Sequence, residues 1–425
     1  MNALALGVVA DDFTGATDVA NTLAREGMRT VLTIGPPRAG LDYDDPRALV
    51  VALKTRSIPP EQAVARSLEA LDALLALGAR AVVFKYCSTF DSTDDGNIGP
   101  VADALSERLG AAVTLHCPAF PANGRRVFGG YLFVGDVLLS ESGMRDHPLN
   151  PMHDANLVRV LQRQTPHRVE RLDLEIARAG RAAIAAAIRG AAGSGARHLI
   201  VDASSDDDLR AIGEAATDAG LPLLCGASGI ALGLPGALSE AARESGTGVA
   251  AALPAIAGPA AVLSGSCSVA TRAQIAHVRD RWPTFDLNEG SWDDPRRRAA
   301  DALAWSDRAL GERPILIVAS AEPPRVEENQ RAYGVAEAGA RVEGALATIA
   351  RGLRDRGVTR FVVAGGETSG AVVAGLGIDA LRIGPQIAPG VPWTATMDAR
   401  PVALALKSGN FGGADFFVRA LAIAP

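Results

Sequence analysis

VADDFTGATD, at residues 9–18, joins an apolar run to a segment with helical character. The apolar run covers residues 4–10, and two adjacent carboxylates, Asp11 and Asp12, follow it directly. This order predicts a strand, then an acidic turn, then a helix. Because ligands of α/β proteins bind where parallel strands end, the turn indicates an active-site edge of a sheet. The segment by itself does not identify the chemistry.

Short apolar runs alternate with amphipathic helical stretches along the rest of the chain. Further strands are predicted at residues 30–34, 48–53, 81–85, 112–117, 198–202, 222–225, 260–264, 314–319 and 361–364. Helices are predicted at residues 60–77, 101–109, 181–192 and 335–354. Strands that alternate with helices are typical of an α/β protein, with a mainly parallel sheet covered on both faces.

A change of composition divides the chain into two predicted domains. A chain of 425 residues is too long for one ordinary hydrophobic core. Residues 245–261, SGTGVAAALPAIAGPAA, are rich in small residues, and a predicted strand overlaps their end. We therefore place the domains at residues 1–247 and 256–425, with a linker around residues 245–258. Each domain is expected to hold a mainly parallel sheet flanked by helices.

Composition and charge argue against several classes of protein. The formal net charge is −6 and the isoelectric point is about 5.6, which argues against a nucleic-acid partner. No apolar stretch of about 20 residues occurs, so we expect no membrane span. The beginning of the sequence lacks the pattern of a signal peptide. Four widely spaced cysteines without a C-x-x-C pair indicate reduced thiols, and we expect a cytoplasmic protein.

Polar side chains collect at the strand ends of the predicted N-terminal domain. They are Asp11, Asp12, Lys54, Arg56, Lys85, Ser88 and Asp91. Arginine holds a carboxylate with two hydrogen bonds, lysine supplies a point charge, and aspartate accepts from hydroxyl groups. The set therefore suits a small, polyhydroxylated anion. For any single residue the alternative is an ordinary salt bridge or helix cap, and Asp11 and Thr14 could cap the helix that follows.

Three turns rich in glycine and hydroxyl residues lie in the predicted C-terminal domain, at residues 263–268, 364–370 and 406–412. Turns of this kind free backbone N–H groups to point at an anion, and the helix dipole favours an anion at a helix start. None of the three matches the P-loop or the G-x-G-x-x-G pattern. We predict a nucleotide phosphate site of another kind, although glycine in each turn is also explained by its backbone freedom alone.

Two such sites together predict phosphoryl transfer in a cleft between the domains. Domain closure would bring the γ-phosphate of ATP to a substrate hydroxyl while excluding water. A carboxylate must take the hydroxyl proton, and Asp12 is our candidate because the charge of Asp11 beside it could raise its pKa. A divalent metal, Mg²⁺, is expected to bridge the phosphates, and the sequence does not identify its protein ligands.

Four motifs resemble the four-carbon acid sugar kinase family. They are VADDFTGATD at 9–18, VLSGSCS at 262–268, VAGGETSG at 363–370 and ALKSGNFG at 405–412. The resemblance covers essentially the whole chain, and it implies an N-terminal acid-sugar-binding domain and a C-terminal nucleotide-binding domain. The implied contacts to ATP fall on Ser264, Gly365, Gly366, Glu367, Thr368, Ser369 and Gly409.

Within this family, four stretches are most similar to the branch that acts on 3-oxo-tetronates. They lie at residues 53–57, 84–100, 118–125 and 141–152. The implied reaction is ATP-dependent phosphorylation of the 4-hydroxyl of the acid sugar. Three alternatives stay open: a kinase of threonate or erythronate, a sugar-acid aldolase or isomerase that uses Lys85 as a Schiff-base lysine, and a non-catalytic sensor. The sequence also leaves open whether the chain forms a homodimer.

Overall fold

A computed structural model describes residues 4–38, 42–147, 150–238 and 253–425 of the chain. The chain divides into two compact units, Met1–Ala250 and Ala251–Pro425. Of the predicted linker, residues 245–252 lie outside the described residues, and residues 253–258 form neither helix nor strand. Among the described residues, no helix combines the length and the apolar character needed to cross a membrane.

The N-terminal unit alternates strands and helices from its first described residues. Its elements are β1 (Leu6–Ala10), α1 (Phe13–Arg25), β2 (Thr30–Ile34), β3 (Ala48–Ala52), α2 (Pro60–Ala76), β4 (Ala81–Lys85), α3 (Ile98–Leu109), β5 (Thr114–Cys117), β6 (Arg125–Phe128), β7 (Tyr131–Val134), β8 (Val137–Leu138), α4 (Leu157–Gln164), β9 (Arg168–Leu172), α5 (Leu174–Arg178), α6 (Arg181–Ser194), β10 (Ala196–Val201), α7 (Asp206–Asp218), β11 (Leu223–Gly226) and α8 (Leu234–Leu238).

Eight strands of this unit form a parallel arrangement in the order β2-β3-β1-β4-β11-β5-β10-β9. Every residue of β1, β3 and β4 is buried. Strands covered on both faces need apolar side chains at consecutive positions rather than at alternate ones. This explains why β1, β3 and β4 occur as short continuous apolar runs in the sequence. The prediction of a mainly parallel sheet is confirmed for this unit.

The C-terminal unit repeats the alternation. Its elements are β12 (Ala260–Ser264), α9 (Val269–Arg279), β13 (Thr284–Asp286), α10 (Pro295–Ala309), β14 (Ile315–Val318), α11 (Pro323–Tyr333), α12 (Val335–Asp355), β15 (Arg360–Ala364), α13 (Gly366–Leu376), β16 (Ala380–Ala388), β17 (Val391–Thr396), β18 (Ala403–Lys407) and α14 (Phe416–Ala422).

The strands of the C-terminal unit follow the order β13-β14-β12-β15-β18-β17-β16. The first five strands in this order, β13-β14-β12-β15-β18, are parallel to their neighbours within that group. Strand β17 is antiparallel to both of its neighbours, β18 and β16. Trp393 of β17 is fully buried in the core, and its indole Nε1 donates to the Ala420 carbonyl oxygen at 2.9 Å. The unit is therefore mainly parallel, as predicted, with an antiparallel hairpin added to it.

Eight strands have no counterpart among the predicted ones, namely β6, β7, β8, β9, β13, β16, β17 and β18. The hairpin of β16 and β17 contains Pro385 and Pro392. Proline within an apolar run argues against a central strand, because it removes a backbone N–H donor. The strands β6, β7 and β8 form a separate three-stranded antiparallel sheet. They are two to four residues long and only partly buried, so they leave little periodic signal.

Candidate active site

The carboxyl ends of β1, β3 and β4 meet at one edge of the N-terminal sheet. In the parallel register, Ala10 at the end of β1 lies beside Ala52 of β3 and Lys85 of β4. The side chains that follow these strands are therefore brought together. Arg56 and Asp11, which are 45 positions apart in the chain, form a direct ion pair here.

Arg56 holds the acidic side chains of this edge. Its Nε donates to Asp11 Oδ2 at 2.9 Å, and its Nη2 donates to Asp11 Oδ1 at 2.8 Å. The same Nη2 donates to Asp12 Oδ1 at 2.7 Å. A third carboxylate, that of Asp91, lies with Oδ2 3.9 Å from Nη1. One guanidinium therefore faces three carboxylates, and planar two-pronged bonding of this kind fixes their orientation.

Asp12 also begins the helix α1. Its Oδ1 accepts from the Gly15 backbone N–H at 2.9 Å, and its Oδ2 accepts from the Thr14 hydroxyl at 2.8 Å. A side-chain oxygen at this position satisfies one of the unpaired N–H groups at a helix start. The expectation that Asp11 could supply this cap was wrong, because Asp12 is the residue that does so and Asp11 is turned to Arg56.

The two aspartates have opposite pKa shifts. Burial raises the pKa of Asp11, although the Arg56 guanidinium opposes the effect. Burial also acts on the pKa of Asp12, but Arg56, Lys85 and the hydrogen bond from Thr14 outweigh it and hold that pKa below its ordinary value. The expectation that the pKa of Asp12 is raised was therefore wrong, because the two cations and the hydrogen bonds to Asp12 outweigh the effect of burial.

Lys85 is the second cation of the cluster. Its side chain is buried, and its Nζ donates to the Tyr86 carbonyl oxygen at 2.9 Å. Gly15 leaves room for it, since a Cβ at that position would lie 2.8 Å from Lys85 Nζ and 2.3 Å from Asp12 Oδ1. The first turn of α1 can approach the ammonium group only because residue 15 has no side chain.

A short buried loop after β4 carries Asp91. The Thr89 hydroxyl donates to Asp91 Oδ1 at 2.6 Å. Phe90 between them is fully buried and has φ = 49°, in the left-handed region that a bulky residue rarely adopts. Burial, with Asp91 nearby, raises the pKa of Cys87 in the same loop to about 11. A thiol of that pKa is protonated near neutral pH, which argues against Cys87 as a nucleophile.

The remaining predicted residues of this edge are more accessible. Lys54 follows β3 and has an exposed side chain, and Ser88 in the loop after β4 is half-buried. The structure therefore draws Asp11, Asp12, Arg56 and Asp91 of the predicted set into one hydrogen-bonded and ionic cluster, with the Lys85 ammonium group acting on both Asp11 and Asp12. Lys54 and Ser88 lie at more open positions.

Two residues of this region were not predicted. Asn97 Nδ2 donates to the backbone carbonyl oxygens of Thr55 at 2.5 Å and of Arg56 at 3.0 Å, so it fixes the turn that presents Arg56. Asp18 in α1 is buried and accepts from the Ser228 hydroxyl at 2.6 Å. Burial raises the pKa of Asp18 to about 6, against the opposing effect of Lys85. Both lie inside stretches that carry the family resemblance, which was the only signal for them.

The three glycine-rich turns of the C-terminal unit are held together by backbone contacts. The N–H groups of Gly265 and Ser266 both donate to the Ala364 carbonyl oxygen at 3.1 Å. Gly365 donates to the Lys407 carbonyl oxygen at 2.8 Å. Gly365 has φ = 130°, a conformation that residues with a side chain rarely adopt. The ends of β12, β15 and β18 thus form one backbone cluster.

Two helices begin at this cluster. Ser268 caps α9 and accepts from the Thr271 N–H at 3.2 Å, while α13 begins at Gly366 directly after the positive-φ Gly365. The first N–H groups of a helix lack partners inside the helix and attract anions. Glu367 in the first turn of α13 is exposed. This geometry is suited to a phosphate group.

The hydroxyl groups of the predicted nucleotide contacts are mostly engaged inside the protein. Ser264 is fully buried with its hydroxyl 2.7 Å from that of Ser320. Ser369 is also fully buried, and its hydroxyl donates to the Gly365 carbonyl oxygen at 2.7 Å. Thr368 is buried close to Gly265, where a Cβ would lie 2.3 Å from its hydroxyl oxygen. These three side chains shape the turns.

A cavity of about 230 Å³ lies beside the same turns. Its wall includes Gly265, Glu367 and Thr368 from the turns, and the apolar residues Val326, Val335, Ala338 and Val342 from α11 and α12. A flat apolar ring suits such a cavity, and the backbone of the glycine-rich turns lies at its wall. In the N-terminal unit a cavity of about 240 Å³ lies beside residues 92–95, and Asp11 and Asp12 do not line it.

No group of three or more His, Cys, Asp or Glu side chains within the described ranges is arranged to hold a metal ion. The described residues therefore offer no preformed metal site built from three or more such side chains.

Known proteins resemble the chain over both units. A model of a sugar-binding N-terminal domain matches residues 6–234, and one of a nucleotide-binding C-terminal domain matches residues 261–417. A 3-oxo-tetronate kinase from Burkholderia multivorans is 55% identical over 98% of this chain and 96% of its own length. One from Cupriavidus necator is 56% identical with the same coverage.

Solved structures agree with the fold. A Salmonella typhimurium protein, for which a role as a tRNA synthase has been suggested, superposes with a TM-score of 0.86 at 43% identity, covering 98% of both chains. A Haemophilus influenzae protein superposes with a TM-score of 0.78 at 40% identity, covering 98% of this chain and 99% of that one.

Proposed function

The chain belongs to the four-carbon acid sugar kinase family, and from this we propose that it is a 3-oxo-tetronate kinase that transfers the γ-phosphoryl group of ATP to the 4-hydroxyl of its substrate. The observation that carries the proposal is the full-length similarity, at 55% and 56% identity, to two 3-oxo-tetronate kinases. The net charge of −6 supports a small-molecule substrate rather than tRNA.

We assign the acid sugar to residues 1–247 and the nucleotide to residues 256–425, with the reacting groups meeting in a cleft between the domains. Lys54 and Arg56 are the candidates for the substrate carboxylate, because both follow β3 at the edge that carries Asp11 and Asp12, and Lys54 has the more exposed side chain. Lys85, Ser88 and Asp91 are assigned to the hydroxyl and keto groups of the substrate. The chain is expected to act without nucleic acid or membrane partners, and homodimer formation stays a separate question.

Asp12 is proposed as the base that takes the proton of the 4-hydroxyl. Its side chain is 20% exposed, compared with 8% for Asp11, so a substrate reaches it more readily. Its lowered pKa keeps it ionised near neutral pH, and a kinase base needs only to accept the proton as the phosphoryl group arrives. Asp11 and Arg56 position it.

The donor side is assigned to the turns at Gly365, Gly366 and Gly409, with the adenine ring in the cavity beside α11 and α12. The N–H groups at the start of α13 face no intrahelical acceptor and would bind phosphate oxygens. Ser264, Thr368 and Ser369 support these turns from inside, and exposed Glu367 borders them. Mg²⁺ that enters with ATP supplies charge neutralisation at the phosphates.

The proposed reaction is tested by coupled ADP release with 3-oxo-tetronate, threonate and erythronate as acceptors. We expect turnover with the 3-oxo acid, and product analysis should locate the phosphate on O4. Turnover with threonate or erythronate but not with the 3-oxo acid would show that the protein is a kinase of those acids instead. Loss of activity after borohydride treatment with substrate would instead indicate a Schiff base on Lys85. Stabilisation by Mg-ATP without any turnover would indicate a sensor.

Replacing Gly365 with alanine should weaken nucleotide binding selectively. Its φ of 130° disfavours any side chain, and a Cβ would lie 2.8 Å from Thr368 Oγ1 and 3.2 Å from the Ser266 backbone nitrogen. Strain of this kind costs on the order of 1–3 kcal/mol, so the KM for ATP should rise by about tenfold or more with the KM for acid sugar unchanged. Gly344→Ala is the matched control, because Gly344 in α12 is exposed and open. Equal effects of both variants would contradict the assignment.

A further inference from the structure

Lys407 is a buried cation that contacts only neutral acceptors among the described residues. It is fully buried at the end of β18. Its Nζ donates to the Thr271 hydroxyl at 2.9 Å, to the Ser408 carbonyl oxygen at 3.0 Å and to the Gly409 carbonyl oxygen at 2.8 Å. All three N–H donors are therefore used, and no hydrogen-bonded carboxylate balances the charge.

An uncompensated buried charge is costly, and a lysine can avoid the cost by losing its proton. Burial lowers the pKa of Lys407 to about 7. The chain holds 42 lysine and arginine residues, of which only Lys54, Lys85 and Lys407 are lysines. Arginine cannot deprotonate in a protein, so the use of lysine at this buried position keeps a titratable cation there.

The position of Lys407 ties it to the candidate phosphate turns. Its backbone carbonyl oxygen accepts from the Gly365 N–H at 2.8 Å. Its ammonium group shares the Gly409 carbonyl oxygen with two hydroxyl donors, Ser268 at 2.6 Å and Thr271 at 2.8 Å. Lys407 thus connects two of the three turns through its own atoms.

In the part of the chain that the structure describes, the elements packed around Lys407 show no carboxylate bonded to its ammonium group. From α14, the ring of Phe416 faces the ammonium with its centroid 6.0 Å away. Asp415, before that helix, is exposed, and Arg419 within it donates to the Ile387 carbonyl oxygen. From α9, the charged residue next to Thr271 is Arg272, which donates to the Cys267 carbonyl oxygen and pairs with Glu322. From α13, Glu367 is exposed, at the first turn.

We propose that the phosphates of the bound nucleotide supply the counter-charge that Lys407 lacks, so that nucleotide binding takes up a proton at this side chain. The inference rests on the proposed function, because it requires a nucleotide at the Gly365 and Gly409 turns. It assigns Lys407 as a positioning residue that acts on the phosphates through the Gly409 loop and through its charge.

The direction of the pH dependence follows from linkage. Without nucleotide the Lys407 pKa is about 7, and nearby phosphates raise it. Between these two pKa values the complex binds more protons than the free protein, so nucleotide affinity should fall as the pH rises above about 7, by at most about tenfold per pH unit. Below pH 7 the side chain is already protonated and this dependence should vanish.

The test is isothermal titration of Mg-ADP into the full chain at pH 8, in two buffers of different ionisation enthalpy. When one nucleotide binds, wild-type protein should take up a number of protons that is larger by close to one than the number taken up by Lys407→Met or Lys407→Arg. The Met variant should bind more weakly. The Arg variant keeps a permanent charge, and its affinity should be flat between pH 7 and 9. Comparison among variants removes the proton contribution of the nucleotide itself.

One further readout, thermal unfolding, and two outcomes of the titration separate the possible failures. Thermal unfolding without nucleotide should show Lys407→Met at least as stable as wild type at pH 7, because it removes a buried charge with no carboxylate partner. Equal proton uptake by wild type and both variants would overturn the role of Lys407 while leaving the kinase proposal intact. Absence of Mg-ADP binding to wild type would overturn both.

Discussion

Replacing Asp12 with asparagine is expected to lower kcat by about 10²- to 10⁴-fold, the usual contribution of a general base, with the affinity for ATP unchanged. Asparagine is also a good N-cap, so it can keep the acceptor for the Gly15 N–H at the start of α1. The substitution therefore removes the negative charge and the proton-accepting capacity while preserving the helix start. Steady-state kinetics, together with Mg-ADP titration, measures both quantities.

The control is the same substitution at another helix start. Asp294 caps α10 by accepting from the Arg297 N–H at 3.0 Å, and its variant Asp294→Asn should leave kcat unchanged. The variant Asp11→Asn tests the alternative that Asp11 is the base, because Asp11 is the other carboxylate that accepts hydrogen bonds from Arg56. If Asp12→Asn kept normal turnover while Asp11→Asn lost it, the base would be Asp11.

The opening motif shows what the sequence could and could not predict. An apolar run followed by two carboxylates was enough to predict the strand end at Ala10, which the structure confirms, because a strand end is a local consequence of one short stretch. That the edge beyond it is functional stays a prediction. The pKa values of Asp11 and Asp12 were not predictable in the same way. They depend on Arg56, 45 and 44 positions away in the chain, whose guanidinium position is set by the register of β1 with β3.

Supporting residues were harder to predict than the strand ends. Asn97 acts through two backbone carbonyl oxygens, those of Thr55 and Arg56, and no spacing rule relates a side chain to carbonyl groups 41 and 42 residues earlier. Lys407 was visible as part of a glycine-rich motif, but its burial and its neutral partners depend on α9 and α14 packing over β18. Local patterns predict which strand ends carry polar groups. The pKa values and the ionisation states of those groups depend on tertiary contacts, which local patterns do not give.

The cluster of Arg56 with three carboxylates suggests why both cations are needed at this edge. Asp11, Asp12 and Asp91 together carry three negative charges when ionised, and Arg56 supplies one positive charge. Lys85 adds a second within reach of Asp11 and Asp12. Two positive charges against three negative ones leave a net negative charge when all groups are ionised, and the proposed role of Asp12 as a base requires a carboxylate that can still accept a proton.

Replacing Arg56 with methionine should destabilise the protein by about 3–5 kcal/mol, because it leaves Asp11 buried without its counter-charge. The destabilisation should shrink on acidification. Burial raises the folded-state pKa of Asp11 above its ordinary value, and loss of Arg56 raises it further, so the folded variant binds a proton more readily than the unfolded chain does. Stability should therefore fall as the pH rises from the ordinary carboxyl pKa through this raised pKa, and urea denaturation of the full chain at several pH values measures it.

Two comparisons make the Arg56 prediction specific. Arg159 forms a similarly close ion pair with Asp154, but its side chain is 53% exposed, so Arg159→Met should cost no more than about 1 kcal/mol. Adding Asp11→Asn to Arg56→Met should recover part of the lost stability, because the second change removes the stranded charge. If Arg56→Met were no more destabilising than Arg159→Met, or if the double variant recovered nothing, the buried Asp11 carboxylate would not be what Arg56 compensates.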